Sequence, residues 1–172
     1  MGKRSSFKRK ERDFYPTPYQ AVLPLLPHIP YATKFCEPCY GEGHLARHLE
    51  LHGHEMVAWA EIKNGGLDAM DIASTSADMF ITNPPWPMPG KKGDPTIKMA
   101  LHLSSIAPTW FLLNADVMHN RYFSSISKRC VKIVSVGRVS WEGNGISGKE
   151  NCAWFLFNES FKGRTEFYEK VS

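Results

Sequence analysis

The sequence predicts an α/β protein in which one mostly parallel β-sheet carries helices on both of its faces. From residue 32 onward, apolar runs of strand length alternate with segments of helix length, an order typical of parallel sheets. A chain of 172 residues, of which 42% are hydrophobic, suits a single domain with one core. Its apolar runs are too short to span a bilayer, and its basic N-terminus lacks the apolar stretch of a secretory signal. We therefore expect a cytoplasmic protein without membrane contact.

The elements follow in order along the chain. Prolines hold residues 13–18 extended, and a short helix is expected to begin at Pro18 and end near Pro24 or Pro27. Strands are predicted at about 34–36, 56–60, 78–82, 110–113, 131–136 and 152–157. Helices are predicted at about 43–51, 96–106 and 117–127, and loops at 62–75, 87–95 and 142–151.

The net charge of +4 is concentrated at the N-terminus. Residues 1–13 contain six Lys or Arg against Glu11 and Asp13, so they carry the whole surplus. The rest of the chain holds 15 basic and 15 acidic residues and is neutral. We expect a flexible basic arm over 1–13 followed by one domain over 14–172, an arrangement suited to binding nucleic-acid phosphates.

A Cys-x-x-Cys pair at Cys36 and Cys39, followed by His44 and His48, admits a zinc or redox interpretation. The turn between the second cysteine and the first histidine opens a predicted helix, and the proline between the cysteines fits the end of a strand. We therefore expect no metal site. The spacing of His44, His48 and His52 predicts a solvated or interface stripe on one helix face.

Three strand ends carry residues suited to ligand binding, which in parallel sheets takes place beyond the carboxyl ends of the strands. The first is the acidic, glycine-rich segment 37–43. The second is Glu61, which is placed to accept hydrogen bonds from two ribose hydroxyls. The third is the Asn-Pro-Pro-Trp segment at 83–86. The glycine-rich turn and the lone glutamate are each weak evidence alone, but the combination of the three segments in this order is much stronger evidence for a ligand site.

The Asn-Pro-Pro-Trp segment suits methylation of an sp² amino nitrogen, whose lone pair is delocalised and therefore a poor nucleophile. The Asn83 side-chain oxygen and the Pro84 carbonyl can together accept both amino hydrogens, which favours a tetrahedral nitrogen. Such an arrangement stabilises developing positive charge and positions the nitrogen for attack. Pro84 and Pro85 stiffen the segment, and the flat Trp86 offers a stacking surface for a base.

On these motifs, the sequence resembles S-adenosylmethionine-dependent amino-methyltransferases over roughly residues 13–158. The greatest similarity is to the small phage and prophage adenine-N6 DNA methyltransferases. The resemblance implies a Rossmann-like class I methyltransferase fold with a seven-stranded sheet, and S-adenosylmethionine as cofactor. It also implies DNA as the partner, either single-stranded or with the target base flipped out of a duplex.

The resemblance assigns site residues position by position. It implies that Tyr15, Thr17 and Pro18 contact the methionine end of the cofactor, and that Glu61 binds its ribose. The pair Asp71 and Ile72 is the best match for the contacts to the cofactor adenine, with Asp68 as the alternative. The cofactor loop is matched by Glu37, Pro38, Gly41 and Gly43, and the catalytic motif by Asn83, Pro84, Pro85 and Trp86, with Asn83 also at the cofactor.

Two departures from the family pattern bear on the substrate. Trp86 stands where Tyr or Phe is commoner, and we expect no separate target-recognition domain within residues 14–172. Recognition would then be minimal, or would come from a partner or from a second copy in a homodimer. Trp86 and Trp141 are candidate stacking surfaces, whereas core packing is favoured for Tyr122. Two alternatives keep the methyltransferase activity but change the substrate to RNA amino groups or protein glutamine amides. A third is an inactive nucleic-acid-binding module with the same fold.

Overall fold

The computed structural model describes residues 15–63, 66–86, 94–141, 147–148 and 150–170. The predicted basic arm lies outside these ranges, as do most of the loops predicted at 87–95 and 142–151. Within them, α-helices are α1 (Tyr19–Val22), α2 (His44–Glu50) and α3 (Pro95–Ser104). The strands are β1 (Lys34–Glu37), β2 (Glu55–Trp59), β3 (Met79–Thr82), β4 (Thr109–Asn114), β5 (Cys130–Gly137), β6 (Cys152–Phe157) and β7 (Glu166–Tyr168).

The strands form one seven-stranded sheet in the order β2-β1-β3-β4-β6-β5-β7. Strand β6 runs antiparallel to its neighbours β4 and β5, whereas every other pairing is parallel. The mostly parallel sheet is confirmed, and the six strands predicted by residue occur within two residues of their predicted bounds. Strand β7 gave no sequence signal because it is only three residues long and largely exposed.

Alternating side chains on the central strands create a separate core on each face of the sheet. On β4, Trp110 and Leu112 point to one face, where they pack with apolar residues of α1 and α2. Phe111 and Leu113 point to the other face and pack with residues of α3. All four side chains are fully buried. The helices on both faces therefore follow from the unbroken apolar sequence of β4.

The prediction of a helix at 117–127 is wrong. Three short 3₁₀ turns occupy this region, at Ala115–His119, Arg121–Ser125 and Ser127–Arg129. The hydroxyls of Ser124, Ser125 and Ser127 donate to carbonyls three residues earlier, at 2.8–3.1 Å. Such side-chain bonds compete with the backbone pattern of an α-helix.

The first helix is also shorter than predicted. It covers only Tyr19–Val22, and a 3₁₀ turn at Leu26–His28 follows it. Pro24 and Pro27 lack the N–H that a continuous helix would use. Among the described residues, no helix has the length and apolar character needed to cross a membrane.

Trp154 on β6 fixes α1 to the sheet. Its side chain is fully buried, and its indole N–H donates to the Ala21 carbonyl oxygen at 2.7 Å. Residues 15–17 lie one residue before α1. The bond therefore also fixes the position of the end of that segment that leads into α1. The hydrogen bond joins residues 133 positions apart.

Trp154→Phe is expected to lower the free energy of unfolding by about 2 kcal/mol, because it leaves the Ala21 carbonyl without its donor and removes buried volume. Urea unfolding followed by circular dichroism measures the change. Trp59→Phe is the matched control, because Trp59 is 54% exposed. Equal effects of the two substitutions would contradict the role of the buried indole.

Candidate active site

A cavity of about 630 Å³ opens beyond the carboxyl ends of β1, β2 and β3. Because these strands are parallel, the segments that follow them meet at one edge of the sheet. The cavity is bounded by four segments and the start of α3. It is lined by Tyr15, Pro16, Thr17, Glu37, Pro38, Cys39, Tyr40, Gly41, Glu42, His44, Leu45, Glu61, Ile62, Lys63, Asp68, Ala69, Met70, Asn83, Pro85, Pro95 and Met99.

Glu37, the last residue of β1, is a buried carboxyl group at the cavity wall. Its side chain accepts a hydrogen bond from the backbone of Ala46 in the first turn of α2. Its Oε2 atom is buried and has no hydrogen-bond partner among the described residues. Burial raises the pKa of Glu37 well above its ordinary value. This carboxyl therefore has an unused hydrogen-bonding site at the cavity wall.

Glu61 follows β2 and connects two walls of the cavity. Its Oε2 accepts the backbone N–H of Gly41 at 2.7 Å, and its Oε1 accepts the N–H of Lys63 at 2.9 Å. Both oxygens retain a lone pair for a further donor. The carboxylate is therefore held in place by backbone groups and can accept hydrogen bonds from a ligand.

Gly43 has a left-handed backbone conformation, with φ of 71°, at the N-cap of α2. A Cβ atom at this position would overlap the ring of Tyr40. The glycine thus allows the Tyr40 ring to lie against the backbone, where Tyr40 lines the cavity and contacts Trp59 at 5.1 Å between ring centroids. Gly43 itself does not line the cavity, so its contribution is to the shape of the loop.

The segment preceding α1 meets the Asn-Pro-Pro-Trp segment across the cavity. The Nδ2 atom of Asn83 donates to the Oγ1 atom of Thr17 at 3.1 Å. Thr17 is only 5% exposed. Two chain segments separated by 66 residues therefore join at the residue predicted to be catalytic.

Two further hydrogen bonds fix the Asn-Pro-Pro-Trp segment. The hydroxyl of Thr96 on α3 donates to the Pro85 carbonyl at 2.7 Å. The indole N–H of Trp86 donates to the Leu112 carbonyl of β4 at 3.0 Å. The segment is thus attached to α3 and β4 as well as to Thr17, and Trp86 in place of Tyr or Phe supplies one of these bonds.

An aromatic group lies beside the cavity. The rings of Trp86 and Trp141 pack edge to face with centroids 5.3 Å apart, and Trp141 lies 6.3 Å from Tyr15. Trp86 and Trp141 are partly buried and do not line the cavity itself. Tyr122 is 36% exposed, so the core packing expected for it is wrong.

The predicted site residues fall into two sets. The residues that line the cavity are Tyr15, Thr17, Glu37, Pro38, Gly41, Glu61, Asn83 and Pro85. Those that do not line it are Pro18, Gly43, Asp71, Ile72, Pro84 and Trp86. Of the second set, all except Ile72 adjoin cavity residues in the sequence.

The structure places Asp68 at the cavity, whereas the preferred pair Asp71 and Ile72 does not line it. Asp68 lines the cavity and caps a 3₁₀ turn, accepting the N–H of Met70 at 2.9 Å. Asp71, the last residue of this turn, is exposed, while Ile72 enters the core and its carbonyl bonds to His102. The sequence contains two aspartates close together, and nothing in it indicates which of them the turn directs toward the cavity.

Sequence analysis missed the contribution of α3. Pro95 and Met99 line the cavity, and Met99 lies 3.7 Å from the Cys39 sulfur. Asp94 caps this helix by accepting the N–H of Thr96 at 2.9 Å. The Asp-Pro pair was a readable signal for a helix start, but nothing in it indicated proximity to the cavity.

The cysteine and histidine motifs form no metal centre in the described part of the chain. Burial raises the pKa of Cys36 to about 11 and that of Cys39 to about 12, so both are neutral thiols at physiological pH. Two members of the histidine stripe, His48 and His52, pack against Tyr19 of α1, whose hydroxyl lies 2.8 Å from Nε2 of His52. The third, His44, lines the cavity.

No protein-family model and no curated protein matches the chain. Several solved structures match the chain. A protein from Pyrococcus horikoshii assigned as an RNA methyltransferase aligns with a TM-score of 0.65 at 15% identity, over 92% of this chain and 94% of that one. A type I restriction-modification methyltransferase subunit from Streptococcus thermophilus aligns with a TM-score of 0.60 at 11% identity, over 91% of this chain and 47% of that one.

A third solved structure indicates the class of methyltransferase fold. A protein from Listeria monocytogenes assigned as a class I S-adenosylmethionine-dependent methyltransferase aligns with a TM-score of 0.56 at 11% identity, over 89% of this chain and 63% of that one. The chain therefore has the Rossmann-like class I methyltransferase fold, and the predicted fold class is confirmed. At these identities the likeness concerns the fold alone.

Glu37→Gln is expected to stabilise the unliganded protein at neutral and alkaline pH. Since burial raises the pKa of Glu37, the folded state holds this proton more tightly than the unfolded chain. The resulting stabilisation is complete below the ordinary carboxyl pKa and is lost as the pH rises through the raised pKa. The neutral glutamine should therefore increase the free energy of unfolding at about pH 8 by about 1–3 kcal/mol.

Urea unfolding of both proteins across a pH series measures this difference. Glu42→Gln is the matched control, because the Glu42 side chain is 60% exposed. A difference between wild type and Glu37→Gln that stays constant with pH would contradict the effect of burial.

Proposed function

We propose that this protein transfers a methyl group from S-adenosylmethionine to the N6 amino group of adenine in DNA. The observation that carries the proposal is the Asn83 amide at the wall of the cavity, held by Thr17 and followed by two prolines. A side-chain amide beside a proline-fixed backbone can accept both hydrogens of an amino group. This capacity is what activation of an sp² amine requires.

The cavity residues fit the proposed cofactor. The unpartnered Oε2 of Glu37 and the backbone-held carboxylate of Glu61 are acceptors suited to an ammonium group and to ribose hydroxyls. Among the described residues of the lining, four are acidic, at positions 37, 42, 61 and 68, and one is a lysine. This excess favours a cationic ligand. When bound, the cofactor supplies an electrophilic methyl group.

The protein's own groups would prepare the amine. Asn83 Oδ1 and the Pro84 carbonyl accept the two amino hydrogens, so the nitrogen lone pair is freed from the ring and directed away from these acceptors. The same two oxygens stabilise the positive charge that develops on nitrogen. Because Thr96 and Leu112 already hold the segment, little reorganisation accompanies the reaction.

DNA is proposed as substrate on charge and aromatic surface. The basic residues of segment 1–13 can neutralise phosphates. The aromatic group formed by Tyr15, Trp86 and Trp141 includes a close sequence neighbour of Asn83 and lies beside the cavity, where it can stack on a base. An adenine must leave the duplex to reach such a site, so unpaired or flipped adenine is the proposed substrate.

The discriminating experiment is incubation of the protein with methyl-labelled S-adenosylmethionine and single-stranded DNA, duplex DNA, structured RNA or protein. Mass spectrometry of the digested products then identifies the methylated group. N6-methyladenine in DNA supports the proposal. Label only in RNA or in glutamine amides would replace the proposed substrate, and absence of cofactor binding would favour an inactive nucleic-acid-binding module.

Asn83→Ala is expected to lower kcat by about 10²–10³-fold or more, because the missing oxygen acts on charge that develops in the transition state. Isothermal titration should find cofactor affinity changed only modestly. Asn158→Ala is a matched control, because the Asn158 side chain bonds Ser160 away from the cavity. Wild-type turnover in Asn83→Ala would refute the mechanism.

Deletion of residues 1–12 is expected to weaken DNA binding and to flatten its salt dependence. Each phosphate that the arm no longer neutralises should reduce the slope of log K against log salt concentration by about 0.9 for duplex DNA. Fluorescence anisotropy over a salt series measures the slope. A full-length variant with Lys3, Arg4, Lys8 and Arg9 changed to Gln separates charge from length, and an unchanged slope in both variants would assign the arm another role.

A further inference from the structure

We propose that Thr17 is a positioning residue that sets the orientation of the Asn83 amide, so that Oδ1 and not Nδ2 is presented to the target amine. The catalytic part of this inference rests on the proposed function. The structural part, a fixed amide orientation, stands on the geometry of the chain alone.

An asparagine amide needs a hydrogen bond to fix its orientation, because its oxygen and nitrogen are nearly equal in size. Packing alone therefore distinguishes the two orientations poorly. Nδ2 of Asn83 donates to Thr17 Oγ1 at 3.1 Å, which leaves Oδ1 for another partner. In the described part of the chain, Thr17 is the hydrogen-bond partner of this side chain.

The opposite orientation would disable the site. If Thr17 donated to Oδ1, the amide NH₂ would be the group left for the amino group of a base, and two sets of donor hydrogens would face each other. An amine presents hydrogens to its neighbours, whereas a carbonyl at the same ring position presents lone pairs. The direction of the Thr17 bond thus decides whether the site accepts an amino group or a carbonyl.

Thr17 is itself held in a fixed position beside this amide. Its side chain is 5% exposed, and prolines on both sides restrict its backbone. The His48 imidazole on α2 hydrogen-bonds to the Thr17 backbone. Trp154 anchors α1, which follows directly. The hydroxyl therefore belongs to a fixed part of the scaffold.

The test compares Thr17→Val, which is nearly isosteric but lacks the hydroxyl, with Thr17→Ser, which keeps it. Thr33→Val is the matched control, because Thr33 is also buried and its hydroxyl bonds the Pro30 carbonyl outside the cavity. Unfolding curves of all three variants establish that each is folded.

The first readout is nuclear magnetic resonance of the unliganded, ¹⁵N-labelled protein. The side-chain amide signals of Asn83 are identified by their loss in Asn83→Asp. We expect Thr17→Val to shift these signals, Thr17→Ser to restore them and Thr33→Val to leave them in place. Signals unmoved by Thr17→Val would overturn the inference, whatever reaction the protein catalyses.

The second readout uses oligonucleotides that the wild-type protein methylates, at saturating cofactor. We expect Thr17→Val to lower kcat about tenfold or more, with recovery in Thr17→Ser. The variant should also bind oligonucleotides with hypoxanthine at the target position several-fold better relative to adenine, because its amide can turn toward a carbonyl. Unchanged kcat and unchanged base preference in Thr17→Val would refute the positioning role.

The two readouts separate failure of this inference from failure of the proposed function. A shifted amide signal without methylation of any DNA would leave the hydrogen bond established and refute DNA as the substrate. Methylated DNA with an unmoved amide signal would support DNA as the substrate and refute the positioning role of Thr17.

Discussion

The common direction of β1, β2 and β3 is the constraint on which the rest of the site depends. Because the three strands are parallel, Glu37, Glu61 and Asn83 lie at strand ends that share one edge of the sheet. None of these residues is close to another in sequence. The hydrogen bond from Gly41 to Glu61 then joins the first two strand ends, and Thr17 connects the third to the segment before α1.

Glu37 places a carboxyl where the unliganded fold does not fully satisfy it. A carboxyl in this position caps the first turn of α2, yet one of its oxygens is buried without a partner in the described structure. An apolar or neutral side chain would suit the unliganded fold better. The carboxyl is understandable as a group whose partner arrives with a cationic ligand, and local strain of this kind is common at functional sites.

The sequence predicted most of what depends on local pattern and little of what depends on contacts between distant segments. Apolar runs predicted the six longer strands and the residues at the strand ends. Glycines predicted the turn that precedes α2. The 3₁₀ turns after β4 could not be predicted in this way, because serine side chains decided between two helical forms. The place of Asp68, the contribution of Met99 and the bond between Thr17 and Asn83 depend on tertiary packing, for which a single sequence contains no signal.

The three hydrogen bonds on the Asn-Pro-Pro-Trp segment also imply an order of assembly. The bond from Thr96 closes a short loop, whereas those involving Trp86 and Asn83 span 26 and 66 residues. Longer loops cost more entropy to close and form later in folding. A chain that has completed its central strands but not yet docked residues 15–17 would therefore have a cavity that lacks one wall, with its amide still unoriented. Docking of residues 15–17 would then complete the cavity and orient the amide together, as a late step of refolding.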